Sequence, residues 1–144
     1  MQLRPARPAD LPRIEVLLRE NDLPTVGVRE SIGGFLVAEE GALTVGAIGI
    51  ESCGPSYGLL RSAVVSEKWR GKGVGRQLVD RAINEARVRG VQALYLLTTT
   101  AEDYFPLFGF SKTTRESVPD AVRATEEFRG ACPDTATVMA LKLD

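Results

Sequence analysis

The chain has 144 residues, a length that fits one domain over 1–144, and 44% of them are hydrophobic, enough for a buried core. Its 18 Lys and Arg balance 19 Asp and Glu to a formal net charge of -1, so no overall field draws it to nucleic acid or to anionic lipid. No apolar run is long enough for a membrane span, and the start Met1-Gln2-Leu3-Arg4-Pro5 lacks the apolar stretch of a signal peptide, so the expected setting is the cytoplasm.

In chain order, residues 2–4 read as a short strand stopped by Pro5. Asp10 is placed as an N-cap ahead of Leu11, Ile14, Leu17 and Leu18, which recur at helical spacing with Arg13, Glu15, Arg19 and Glu20 outside. Asn21-Asp22 and Pro24 end that helix. Residues 23–31 are weakly periodic and read as a loop. Phe35-Leu36-Val37-Ala38-Glu39 is a strand, Glu40-Gly41 a hairpin turn, and residues 43–50 a second strand. Gly46 and Gly49 inside it point to a bulge or a close backbone approach. Cys53-Gly54-Pro55-Ser56 turns the chain into a third strand, residues 57–65, apolar on both faces but interrupted by Arg61 and Ser62.

After a glycine-rich turn, Val74, Leu78, Val79, Ala82, Ile83 and Ala86 mark one face of a helix that Gly90 closes. Residues 93–98 form a β-rich run expected beside the third strand, completing a β-α-β crossover. A short helix over 102–107, a strand over 110–113, a possible short helix near 120–128 and a last strand over 137–143 complete the reading. The fold class is α+β, with a mixed central sheet made of an antiparallel meander and then the crossover.

The chain has no histidine and two cysteines. The first fact removes His-based triads and most zinc sites, and no metal is expected. Chemistry must then run on carboxylates, tyrosines, hydroxyls, backbone dipoles or water. Cys53 and Cys132 both stand next to turns and read as free thiols.

The stretch Val64-Val65-Ser66-Glu67-Lys68-Trp69-Arg70-Gly71-Lys72-Gly73-Val74-Gly75-Arg76 passes from strand through glycines into a helix. The first N–H groups of a helix lack internal partners and carry the positive end of its dipole, and glycines let that backbone approach an anion. A Walker loop needs a different order of Gly, Lys and Ser/Thr. A dinucleotide fingerprint needs a third glycine where Arg76 stands. The surviving pattern is Arg70-x-x-Gly73-x-Gly75.

This pattern resembles the GCN5-related N-acetyltransferase (GNAT) superfamily. The likeness extends over nearly the whole chain, to the closing Tyr104-Phe105-Pro106-Leu107-Phe108-Gly109-Phe110. It implies the GNAT fold with helices on both faces of the sheet, and acetyl-CoA as cosubstrate. The backbone amides of Gly71, Lys72, Gly73, Val74, Gly75 and Arg76 would hold the pyrophosphate, with charge from Arg70, Lys72 and Arg76. Ala63, Val64 and Val65 would bond the pantetheine arm as an added strand, where a bulge splays the central strands. A homodimer is the family's guess.

For catalysis, Glu51 near the end of the second meander strand is the carboxylate placed as base, acting through water; Glu67 is expected to face solvent. Many members use a tyrosine four residues before the Gly of Gly-Phe as the acid. Here that position is Phe105, and Tyr104 is one earlier, roughly 100° away around a helix. Tyr104 therefore has two readings, the acid or a packing or CoA contact. Arg61 and Ser62 are read either as an edge or ion-paired arginine with its neighbour or as an anchor for an anionic acceptor, with Thr98 as a hydroxyl donor or a turn former.

A closer resemblance, through Asn21-Asp22-Leu23-Pro24-Thr25, Phe35-Leu36-Val37-Ala38, Tyr57-Gly58-Leu59-Leu60-Arg61-Ser62 and the tail Phe128 to Met139 with Cys132-Pro133, is to the GNAT proteins of bacterial arsenic-resistance operons, which include arsinothricin N-acetyltransferases. It implies a small-molecule acceptor, the α-amine of a glutamate-like amino acid carrying an arsenic or phosphorus acid. The alternatives are another small amine or a protein N-terminus as acceptor, or a non-catalytic acyl-CoA-binding module. The loops 23–31 and 115–134 are expected to cover the acceptor.

Overall fold

The structure is a computed structural model and describes residues 1–143. One seven-stranded sheet runs through it: β1 (Gln2–Pro5), β2 (Phe35–Glu40), β3 (Leu43–Cys53), β4 (Tyr57–Val65), β5 (Ala93–Thr98), β6 (Ser111–Lys112) and β7 (Thr137–Lys142). The strand order is β1-β2-β3-β4-β5-β7-β6. Only β4 and β5 pair in parallel, and α2 (Val74–Val88) makes the crossover between them. The α+β reading, with its meander followed by a crossover, is the architecture observed.

Alternation along the strands builds a core on each face. In β2, Leu36 and Ala38 pack toward α2 with Leu78, Val79, Ala82 and Ile83. Their neighbours Phe35 and Val37 pack on the other face with Leu11, Ile14, Leu17 and Leu18 of α1 (Leu11–Glu20). A smaller cluster of Leu59, Val118, Val122 and Val138 seats α3 (Asp120–Arg123). The buried face of α2 is the six residues that helical spacing picks out. Its C-terminus closes at Gly90 (φ 83°), with Val91 N–H on the Ala86 carbonyl at 3.0 Å and Gly90 N–H on Arg87 at 3.0 Å. Among the described residues no helix is long and apolar enough to cross a membrane.

Two irregularities shape the centre of the sheet. Ala47 pairs with Val64 but Gly49 pairs with Arg61, so Ile48 alone faces both Ser62 and Ala63. This is a β-bulge on β4, and Ser62 takes φ 59° within it. Gly49 itself is required by Phe35, whose ring would stand 2.3 Å from a Cβ placed there. The second irregularity is that β4 pairs with β5 only from Tyr57 to Leu59. Beyond that point the two strands part.

Four local expectations are corrected. Asp10 occupies the N-cap position of α1 but makes no cap bond to the helix. Its carboxylate instead accepts the Arg7 N–H at 2.7 Å and both terminal nitrogens of Arg4 at 2.8 Å, and Arg4 also reaches Glu39 at 2.7 Å. Residues 102–107 form a turn followed by a 3-10 segment, Phe105–Phe108, because Pro106 cannot donate into a preceding helical turn. The strand expected over 110–113 is only Ser111–Lys112. The helix expected over 120–128 splits into α3 and a π-type turn, Glu127–Ala131, where Gly130 takes φ 133°.

The Arg4 bond holds the Asp10 carboxyl down at about 2, below its ordinary 3.8. Stability from this pair is therefore present above the unfolded value and lost as pH falls through about 2. Asp10→Asn is expected to destabilise the fold by about 1 kcal/mol at neutral pH, after screening by solvent near the pair. Chemical denaturation at pH 7 and at pH 2 checks this: the difference between variant and wild type should be much smaller at the lower pH.

Candidate active site

Where β4 and β5 part, a cleft of about 1030 Å³ opens. Leu60 to Val65 form one wall, Leu96 to Ala101 another, and the start of α2 closes one end at Gly75. The walls of the cleft are thus set by the loss of β pairing, which leaves the β5-side backbone groups of β4 facing a gap.

At the α2 end, the chain leaves β4, makes a 3-10 turn at Glu67–Trp69, and enters the helix through Gly71 (φ 77°) and Gly73 (φ 83°). Gly73 is the N-cap and no side chain caps the helix. The N–H groups of Val74, Gly75 and Arg76 precede the first donor to close a helical bond, Gln77 on the Gly73 carbonyl at 3.1 Å. Arg70 is tied back to the Val65 carbonyl at 3.4 Å and to the Asn21 side-chain oxygen. Lys72 lies 5.8 Å from the Trp69 ring centre. The turn therefore leaves the first N–H groups of α2 uncapped at the end of the cleft that Arg70 and Gly75 line.

Tyr104 faces this turn. Its hydroxyl lies 3.4 Å from where a Cβ on Gly75 would stand, and its ring meets Phe105 and Phe108 edge-on at 5.4 and 5.2 Å. Phe105 is 8% exposed and packs on Phe110 in the core. The one-residue offset of the tyrosine thus does not turn it away, because Tyr104 sits in the turn ahead of the 3-10 segment rather than within a helix. Partial burial raises its phenol, Asp80 adds to this, and Arg76 opposes both.

The other end is built on Arg61. Its side chain is fully buried, yet it carries charge into the wall of the cleft. Nη1 donates to Glu51 at 3.0 Å and Nη2 to the Val26 carbonyl at 2.6 Å. Nε donates to the Ser62 hydroxyl at 3.0 Å and faces Glu127 Oε2 at 3.1 Å. Arg61 does hold anions, but they are the protein's own carboxylates; of its two readings, the ion pair is the one in place. Ser62 serves the same guanidinium. Thr98 Oγ1 accepts the Ala101 N–H at 2.9 Å, forming a turn at the cleft wall.

Glu51 is bonded to Arg61 but is not among the groups that line the cleft. The carboxylates that do are Asp22, which is exposed, and Glu127, which is 5% exposed. Burial raises the Glu127 carboxyl, Arg61 and the Cys132 thiol oppose the rise, and Glu51 adds to it. The Cys132 thiol donates to Glu127 Oε1 at 3.4 Å. Burial and the nearby carboxylate push that thiol up to about 12, and burial pushes Cys53 up to about 11, so neither is a thiolate near neutrality.

Glu127 escapes sequence reasoning because it lies in the weakly periodic segment 115–134, with no motif around it. That segment and the 23–31 loop do reach the cleft, through Ala131, Cys132 and Pro133 and through Leu23 and Pro24.

Comparison with known proteins agrees with this architecture. The family model described as "Acetyltransferase (GNAT) domain" matches residues 31–112. The curated relative YwlB of Bacillus subtilis, an uncharacterized protein, is 29% identical over 130 residues, covering 88% of this chain and 86% of its own. An uncharacterized N-acetyltransferase of Chlorobaculum tepidum, CT2212, is 29% identical over 93 residues, 65% of this chain and 59% of its own. Among solved structures, Rv2747 of Mycobacterium tuberculosis superposes with a TM-score of 0.84 at 24% identity over 100% of both chains. The N-acetylglutamate synthase of Neisseria gonorrhoeae does so with 0.84 at 21% identity, over 99% of this chain and 35% of its own. Those likenesses establish the fold, and the matched domain, which contains the meander, the glycine turn and α2, makes this chain a member of the GNAT acetyltransferase family.

Proposed function

We propose that the protein is an N-acetyltransferase that moves acetyl from acetyl-CoA to the α-amine of a small anionic amino acid of the arsinothricin or phosphinothricin type, a reaction that would confer resistance to it. The observation that carries the reading is that one cleft joins the uncapped start of α2 to the unpaired stretch of β4. The pyrophosphate fits the N–H groups from Gly71 to Arg76, with Arg70, Lys72 and Arg76 as cations beside it. The pantetheine arm fits along Ala63, Val64 and Val65 as an added strand. Rv2747 was solved in complex with CoA and NLQ, and the Neisseria enzyme with CoA and N-acetyl-glutamate, which supports this donor and an amino-acid acceptor.

The acceptor would lie at the Arg61, Ser62 and Thr98 end. Both substrates are then held together and the amine attacks the thioester directly, so that position rather than a covalent enzyme intermediate supplies the rate. Tyr104, beside the α2 end, would give its proton to the departing sulfur. Glu51, bonded to Arg61 and outside the cleft lining, would reach the amine only through water.

A thiol-release assay over a panel of amines tests the acceptor. Arsinothricin is expected to exceed glutamate in kcat/KM by about tenfold or more, that is by at least about 1.4 kcal/mol of transition-state binding. Equal turnover of the two removes the substrate assignment, and tight acetyl-CoA binding with no turnover of any amine removes the enzymatic one. Tyr104→Phe tests the acid. It should lower kcat by about 100-fold while acetyl-CoA affinity holds, and the wild-type decline in kcat on the alkaline side should lie above the ordinary tyrosine range, as the raised phenol requires.

A further inference from the structure

The buried cluster around Arg61 is unbalanced. Glu51 and Glu127 supply two carboxylates to one guanidinium; Glu127 is buried, while the Glu51 side chain keeps 21% of its surface in solvent, so the poorly solvated negative charge is that of Glu127. An uncompensated buried charge is costly. Across the elements packed against Glu127, the charged and titratable groups facing it are Arg61 on β4, Glu51 on β3 and Cys132 on its own segment. Arg115, nearby, is engaged with the Phe128 ring and the Pro133 carbonyl. Among the described residues, Arg61 is therefore the cation that faces Glu127.

The two carboxylate oxygens of Glu127 differ. Oε2 faces Arg61 Nε at 3.1 Å. Oε1 has the Cys132 thiol at 3.4 Å, a weak donor that a charged N–H would displace with little loss. Glu127 also lines the cleft, at the end away from Gly75 and Tyr104.

We propose that Glu127 is the acceptor-amine site of this enzyme: its carboxylate binds the ammonium of the incoming amino acid at Oε1 and takes one proton from it. The proposal rests on the acetyl-transfer reading above and names the group that prepares the nucleophile. The bound ammonium brings the cluster to two positive and two negative charges. One N–H proton passes to Glu127, leaving a neutral amine and a carboxylic acid. The amine nitrogen forms a bond to the acetyl carbon, the carbon–sulfur bond breaks, and the sulfur leaves with the electron pair. The second proton lost by nitrogen balances the one the sulfur gains by way of Tyr104. Glu127 returns its proton to solvent, so each turnover releases one proton with the thiol.

A base must be ionised before it can act. Turnover should therefore rise with pH through the Glu127 carboxyl, which lies above the ordinary carboxylate range because it is buried. Burial and the neighbouring carboxylate push the Cys132 thiol up to about 12, well above this window.

The test is the pH dependence of kcat for wild type, Glu127→Gln, Glu127→Asp and Glu51→Gln, with acetyl-CoA affinity measured for each as the check on folding. Glu127→Gln is expected to lose about 100-fold or more in kcat and to lose the acidic limb of the profile, with acetyl-CoA affinity unchanged. Glu127→Asp, which restores a carboxylate, should recover part of the rate and the limb with it. An acidic limb that survives in Glu127→Gln, or one that disappears in Glu51→Gln instead, overturns the assignment. So does a Glu127→Gln that loses acetyl-CoA affinity and kcat together while Glu127→Asp recovers neither, since that marks a purely structural counter-ion. A wild type that turns over no amine overturns the acetyl-transfer reading, and the role of Glu127 with it.

Discussion

β4 cannot pair on both sides along its whole length. Its bulge gives Ile48 two partners, and the extra residue turns the strand after Leu60 away from the line of β5. Ser62 accepts a left-handed backbone to do this, a conformation that costs a non-glycine residue of order 1–3 kcal/mol. The cost is borne where the local structure is tightest: the Ser62 hydroxyl takes the Arg61 Nε–H, and Arg61 is gripped from three other directions. The gap that results is the cleft.

The same guanidinium joins the cleft's walls. Arg61 belongs to β4, Glu51 to β3, the Val26 carbonyl to the loop after α1, and Glu127 to the segment before β7. Parts of the chain as far apart as Val26 and Glu127 are held on one buried cation. Removing a single partner from such a cluster leaves a charge unpaired out of water, which is why the cluster acts as a unit. It also means that the charge at the Arg61 end of the cleft is set from within the protein, while the α2 end is set by backbone N–H groups and exposed basic side chains.

How far the site could be read in advance follows from how local each signal is. The apolar face of α2 is legible residue by residue because a 3.6-residue period is a property of the helix alone. The glycine turn is legible for a similar reason, since Gly71 and Gly73 meet a backbone requirement that a short stretch imposes on itself. Arg61 is visible as an anomaly in an apolar strand, but its partners lie ten, 35 and 66 positions away along the chain. Tyr104 shows a limit of another kind. Its offset from the expected position suggests a lost function if the segment is taken as a helix, yet the 3-10 geometry beyond it brings the hydroxyl to Gly75.

By itself, the sequence determined the order of strands and helices, the glycine turn that marks the chain as a GNAT acetyltransferase, and the absence of any histidine from its chemistry. Each of these is a matter of spacing or of residue type. Only the tertiary structure decided what charge lines the Arg61 end of the cleft, because that depends on which groups meet across the sheet. It took Arg61 out of the free cations, moved Glu51 behind it, and brought Glu127 from a segment without periodicity to the wall of the cleft. Burial then made that carboxylate chemically distinct, and no pattern along the chain encodes burial for a residue held in place by a partner 66 positions away.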